Sequence, residues 1–287
     1  MKPMSDNSKT FSFELFPAKT EQGIAKMRDA IGILNSRQPE YFSVTYGAGG
    51  STQDKTFATV DWIIDQGIEV APHLSCMGST SNQITDILKR YESQGIKRIV
   101  ALRGDLPSGS GAGSMGELNY ANELVALIRE RFPGRFRIEV AAYPEMHPQA
   151  PGFERDLDNF QRKVAAGADA AITQYFYNAD AYASFMDACA KRNIQIPVVP
   201  GIMPITNFSS LVRFSDACGA EIPRWLRKRL EGYGDDIDSI RKLGVEAVSR
   251  LCRQLLDMGA PGLHFYTMNQ AEPTLSIWDN LGLGVRP

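Results

Sequence analysis

The sequence predicts an α/β fold of the (β/α)8 TIM-barrel class, built as a single domain. Three observations carry that reading. Short apolar runs recur eight times, at residues 11–16, 41–46, 69–75, 98–103, 137–143, 170–177, 197–203 and 262–267. Stretches with helical periodicity separate them, such as Ile24, Met27, Ile31 and Leu34, or Leu124, Leu127 and Ile128. The length, 287 residues, suits one barrel, which typically takes about 250 residues.

The runs read as apolar on both faces, which implies a parallel sheet covered by helices, and eight repeats imply closure. Residues 207–257 are long for a single βα unit. They predict two short helices over 208–217 and 223–230, then a longer one over 237–258. Gly259-Ala-Pro-Gly262 turns from that helix into the last strand. No linker interrupts residues 1–287, and residues 1–10 read as a flexible N-terminal tail. The patch Ser108-Gly-Ser-Gly-Ala-Gly-Ser-Met-Gly116 is short enough to be a mobile loop over an active site.

Composition narrows the function classes. A net charge of −2 with Lys and Arg scattered along the chain gives no electrostatic reason to expect nucleic-acid or membrane partners. The four cysteines, Cys76, Cys189, Cys218 and Cys252, form no CxxC pair, so they read as buried thiols in a reducing compartment. The start of the chain lacks the apolar core of a signal peptide, and no stretch approaches 18 apolar residues. A cytoplasmic location is expected.

In a barrel the chemistry gathers at the C-terminal ends of the strands. Polar residues interrupt the apolar pattern there: Glu14, Thr45, His73, Arg103, Asp105, Tyr143, Glu145 and Gln174. Phe11-Ser-Phe-Glu-Leu-Phe-Pro17 sets one carboxyl among aromatics. An apolar setting disfavours the charged form of a carboxyl and suits it to proton donation, whereas a carboxylate pointing at solvent would do nothing. Arg103-Gly-Asp105 ends the fourth run, either as site groups or as a structural ion pair. Tyr46-Gly-Ala-Gly-Gly-Ser51 follows the second, either as a backbone cradle for a ligand or as a tight turn.

Other chemistries lack their signals. Gly111-x-Gly113-x-x-Gly116 does not directly follow a strand, so it is no dinucleotide fingerprint. His73, His147 and His264 are too dispersed for an HxH or HExxH metal site, and no metal is expected. No lysine ends a predicted strand, which argues against a Schiff-base aldolase.

Eight motifs in order carry a resemblance to a known family. They are FELFP at 13–17, VTYGAGGS at 44–51, APHLSC at 71–76 and VALRGDLP at 100–107, then AAYPEMHP at 141–148, AITQYFY at 171–177, PGIMPITNF at 200–208 and HFYTMNQAE at 264–272. Together they resemble methylenetetrahydrofolate reductases of the short bacterial type. The resemblance implies a barrel that binds FAD without a Rossmann domain. NADH or NADPH would reduce the flavin and leave, and methylenetetrahydrofolate would then take the hydride on the same face, a ping-pong cycle.

By that resemblance Glu14 is the general acid, and Asp105 lies near flavin and pterin, where a carboxylate tunes the flavin and stabilises a cationic folate intermediate. Thr45, Tyr46, Ala48, His73, Arg103, Gly104, Asp105, Tyr120, Ala121, Ala141, Tyr143, His147, Asp156, Asn159, Arg162 and Lys163 match FAD-binding positions. Arg162 and Lys163 would face the pyrophosphate. Glu14, Thr45, Asp105, Gln174, Phe214 and Gln270 match substrate-binding positions. Gln270 stands where some relatives carry an arginine thought to meet the folate tail, and Ser210 where they carry a glutamine. The resemblance further implies a homo-oligomer, dimer or tetramer, without the regulatory domain of larger eukaryotic relatives. A colourless barrel enzyme acting on folate or phosphate esters, or a flavin-binding protein that NADH does not bleach, are the rival readings.

Overall fold

The computed structural model describes residues 9–46, 50–104 and 116–284, without the side chains of 50–52. The expected tail (its residues 1–8), Ala48, Asp105, the loop 108–115 and most of the glycine run after Tyr46 lie outside the described residues.

Among the described residues the chain alternates strand and helix from end to end. The order is β1 (Thr10–Leu15), α1 (Glu21–Asn35), β2 (Tyr41–Val44), α2 (Gly50–Asp65), β3 (Val70–Ser75), α3 (Ser81–Ser93), β4 (Arg98–Leu102) and α4 (Ala121–Arg131). Then come β5 (Arg137–Ala142), α5 (Phe153–Ala165), β6 (Ala170–Thr173), α6 (Ala179–Lys191), β7 (Val198–Val199) and β8 (Gly201–Ile202). Helices α7 (Phe208–Cys218), α8 (Arg224–Gly232) and α9 (Ile237–Asp257) lead to β9 (Gly262–Tyr266) and α10 (Ala271–Asn280). All pairings are parallel, in the order β7-β6-β5-β4-β3-β2-β1-β9-β8.

Nine strand segments fill eight barrel positions. The seventh expected run splits at Pro200, which has no N–H to give the ladder. Its first half pairs with β6 and its second with β9, and His264 N donates to the Pro200 carbonyl at 2.9 Å. The ring is thereby completed through a residue that belongs to neither half. Gly201 is needed at this seam: a Cβ there would lie 2.2 Å from the Thr173 carbonyl oxygen and 2.6 Å from the Tyr266 ring.

Local chemistry sets the helix starts. Thr80 and Gln83 form a reciprocal capping box for α3. Thr20, Asn178, Asn207 and Asp236 each accept a backbone N–H of the helix they precede.

One expectation is corrected. The strands are not apolar on both faces. Pleating sends Phe11, Phe13 and Leu15 outward against the helices and Ser12 and Glu14 inward. The same alternation brings Tyr41 and Ser43, His73 and Ser75, Arg98, Glu139 and His264 into the lumen. Most of the apolar core therefore lies between sheet and helices. Trp278 of α10, fully buried, packs its ring 5.2 Å from Phe11, 5.7 Å from Phe13 and 6.3 Å from Phe265. A smaller cluster of Tyr41, Ala71, Val100 and Ile172 fills part of the lumen.

Candidate active site

Glu14 closes β1 at the C-terminal mouth. The aromatics beside it in sequence do not surround it, because Phe13 faces the helices and Phe16 is 41% exposed. Two imidazoles do. Its Oε2 lies 3.4 Å from His73 Nε2 and 3.5 Å from His264 Nε2, with the carboxyl 19% exposed. Burial, against the pull of Glu14, lowers the pKa of His73 and favours its neutral form. Strands β3 and β9 thus deliver to one carboxyl two histidines that are 191 positions apart in the chain.

A second feature opens at the same mouth, over the ends of β4 and β5. It is a cleft of about 600 Å³ lined by Arg103, Gly104, Tyr120, Ala121, Ala141, Tyr143, His147, Asp156, Asn159, Arg162 and Lys163, with Arg155 and Gln149 among the remaining residues. Gly104 can make its rim turn because its φ is +85° and a Cβ would sit 1.8 Å from Ser75 Oγ. Arg103 Nη2 donates to Gln149 Oε1 at 2.6 Å, His147 N donates to Asp156 Oδ2 at 2.9 Å, and the Tyr143 and His147 rings meet edge to face at 4.6 Å. Lys163 is the unusual member. Its Nζ donates to the Ala141 carbonyl at 2.5 Å, and burial lowers its pKa to about 8 against a weaker opposing pull from Asp156. Among the described residues no carboxylate comes within ion-pair distance of it. The start of α4 also lines the cleft and brings the positive end of that helix to it, with Glu123 in its first turn.

A third pocket, of about 250 Å³, is lined by Tyr175, Met203, Thr206, Ser210, Arg213, Phe214, Met268 and Gln270, among others. It joins Phe214 and Gln270, which are 56 positions apart. Gln174 directly follows β6, and its Oε1 accepts from Tyr175 N at 3.0 Å.

Eleven of the expected cofactor residues thus line one cleft. Thr45 and Tyr46 stand on the rim after β2, outside that lining, and His73 lies deeper, against Glu14. The sequence reading did not identify Ser12, Ser43, Tyr41, Arg98, Glu139 or His264 as site-forming. The alternation of Ser12 and Glu14 with Phe11, Phe13 and Leu15 was the available signal, since period-two patterning marks a strand with one polar face.

Fold and site define a parallel α/β barrel with a histidine-flanked carboxyl at its mouth and a cationic, aromatic cleft beside it. The methylenetetrahydrofolate reductase family model matches residues 2–282, and the chain belongs to that family. It is 40% identical over 277 residues to the 5,10-methylenetetrahydrofolate reductase of Escherichia coli K12, covering 96% of this chain and 91% of that protein. It is 35% identical to a probable methylenetetrahydrofolate reductase (NADH) of Oryza sativa, covering 97% of this chain and 49% of the plant protein. Among solved structures, an uncharacterized Clostridium thermocellum protein that binds two copies of 5-methyl-5,6,7,8-tetrahydrofolic acid superposes with a TM-score of 0.65 at 16% identity, covering 97% of this chain and 94% of that one. That likeness concerns the fold.

Proposed function

We propose that this chain reduces 5,10-methylenetetrahydrofolate to 5-methyltetrahydrofolate with NADH, through FAD held in the 600 Å³ cleft, with Glu14 as general acid. The observation that carries the reading is a carboxyl flanked by two imidazoles at the same mouth as a cleft whose half-buried Lys163 has no ion-pair partner among the described residues. The cleft suits a flavin dinucleotide by its donor set. Lys163, Arg162 and the start of α4 offer positive charge to a pyrophosphate, and Tyr143 and His147 offer flat surfaces to rings. FAD bound there would carry the hydride between nicotinamide and folate. The plant relatives named for NADH favour that donor, and the absence among the described residues of a helix able to cross a membrane accords with a cytoplasmic location. A homo-oligomer is part of the same reading.

The chain's own residues supply the acid step. The bridging carbon of the folate resists hydride until its five-membered ring opens. Glu14 gives its proton to the departing nitrogen, the C–N pair stays on that nitrogen, and the exocyclic carbon becomes an electrophilic iminium. Such acid catalysis contributes typically 10²–10⁴-fold. Phe214 and Gln270, which share the third pocket, and Gln174, which follows β6, would meet the folate, and Asp105 is proposed to steady the cation.

The test is spectroscopic. The purified protein should be yellow, bleach with anaerobic NADH and recover colour on adding methylenetetrahydrofolate. Glu14→Gln should still bleach while losing the recovery by at least about 100-fold. A colourless protein that cannot take up flavin would overturn the cofactor, and an unimpaired Glu14→Gln would overturn the acid.

A further inference from the structure

Glu145 stands among the polar groups at the mouth, yet the acid step does not use it and it lies outside the lining of the 600 Å³ cleft. The segment that carries it, residues 143–152 between β5 and α5, bears on two sites at once. On one side Tyr143, His147 and Gln149 line the cleft. On the other, Glu145 Oε2 accepts from the Glu221 backbone N–H at 2.8 Å, in the link between α7 and α8.

The same segment packs against the end of α7. Gly219 closes that helix with φ +74°, and a Cβ there would stand 3.0 Å from Pro148 Cγ and 3.5 Å from the Met146 carbonyl oxygen. Met146 itself has φ +85°, a conformation that a side chain adopts only where its surroundings impose it. Helix α7 in turn presents Phe214, 38% exposed, to the third pocket. Next to it Ser215 Oγ lies 3.1 Å from the Tyr175 hydroxyl. The Glu145 carboxyl is half-buried, and burial raises its pKa against the opposing hydrogen bond from Glu221. A carboxyl oxygen accepts from an amide in either protonation state, so the link does not depend on charge.

We propose that Glu145 is a positioning residue that ties the folate pocket to the cofactor cleft, holding the end of α7, and with it Phe214, to a segment that FAD fixes on its other side. The inference rests on the reading above, with FAD in the cleft and folate against Phe214. Cofactor seated on Tyr143 and His147 restrains the segment, and through Glu145 the segment restrains the helix. A filled cleft therefore readies the third pocket, and the coupling is reciprocal.

Hydrogen exchange tests this without turnover. In the wild type, FAD should slow amide exchange in α5, which lines the cleft, and also in residues 208–221, by about fivefold or more. Glu145→Ala should keep the slowing in α5 and lose it in 208–221. Glu145→Gln, whose amide oxygen still accepts from Glu221, should restore it. If Glu145→Ala does not fold, Glu145→Leu removes the acceptor at nearly constant volume. Equal slowing of 208–221 with and without the acceptor overturns the proposal.

A second measurement asks whether Glu145 acts through Phe214. The KM for methylenetetrahydrofolate, read from colour recovery, should rise about tenfold in Glu145→Ala. In a Phe214→Ala background the same change should add little, and an undiminished rise there also overturns the proposal. A wild-type chain that takes up no flavin removes the cofactor reading and this inference together. Flavin uptake that leaves 208–221 unslowed removes this inference alone.

Discussion

Lys163 shows how one residue can weaken the fold while serving a ligand. Its ammonium is buried with a carbonyl for company, and its pKa is lowered to about 8, against roughly 10.4 in an unfolded chain. Between those values the unfolded state holds the extra proton, so stability of the flavin-free protein should rise as pH climbs from about 8 towards 10. Denaturant titrations across that range check the sign. Cofactor binding should run the other way, weakening above pH 8 as the cation is lost. Replacing Lys163 with Met should raise the melting temperature of the flavin-free protein while reducing FAD affinity about tenfold or more, measured by fluorescence titration. Retained affinity would assign the lysine to a solvated helix face instead.

At the scale of elements, the seventh strand carries the most local constraint. Gly201 N donates to Thr173 Oγ1 at 2.9 Å, and Tyr266 OH donates to the Thr173 carbonyl at 2.6 Å, so three barrel positions meet where no Cβ fits. Gly201→Ala should cost about 2 kcal/mol or more, the usual range for forcing atoms into a packed site. Equilibrium unfolding of the flavin-free protein reads this, and an effect below about 0.5 kcal/mol would mean that the seam yields. Elements were also where the sequence was most legible. The helices expected at 208–217, 223–230 and 237–258 lie within two residues of α7, α8 and α9, since each has an apolar stripe and a cap or proline at its start. The break at Pro200 was legible only as a proline, because its meaning depends on two neighbours more than 25 and 60 residues away. The site was legible by family resemblance more than by pattern. Glu14 stood out locally, but His264 joins it only through the pairing of β1 with β9, which no window of sequence contains.

The whole molecule is closed by its ends. Strand β1 pairs with β9, and Trp278 locks the two together through Phe11, Phe13 and Phe265. Contacts between the first and last strands form only after a long loop has been closed, which slows folding. Of the three tryptophans, Trp278 is fully buried while Trp225 is 46% exposed. Its emission should therefore report closure. In refolding experiments on a chain with Trp62 and Trp225 replaced by Phe, the signal should appear after most helical circular dichroism has returned; simultaneous recovery would argue for a single concerted step. Trp278→Ala should cost about 3–5 kcal/mol.

The alternating strand faces have one more consequence. Residues that hold the cylinder together and residues that govern its reactivity are neighbours in the chain yet separated by the thickness of a sheet. A selection for heat resistance can rework Phe11, Phe13 or Leu263 and their helical partners, while one for altered chemistry works on Ser12, Glu14 or His264. The two histories can proceed within the same strand, one residue apart, with little cause to interfere.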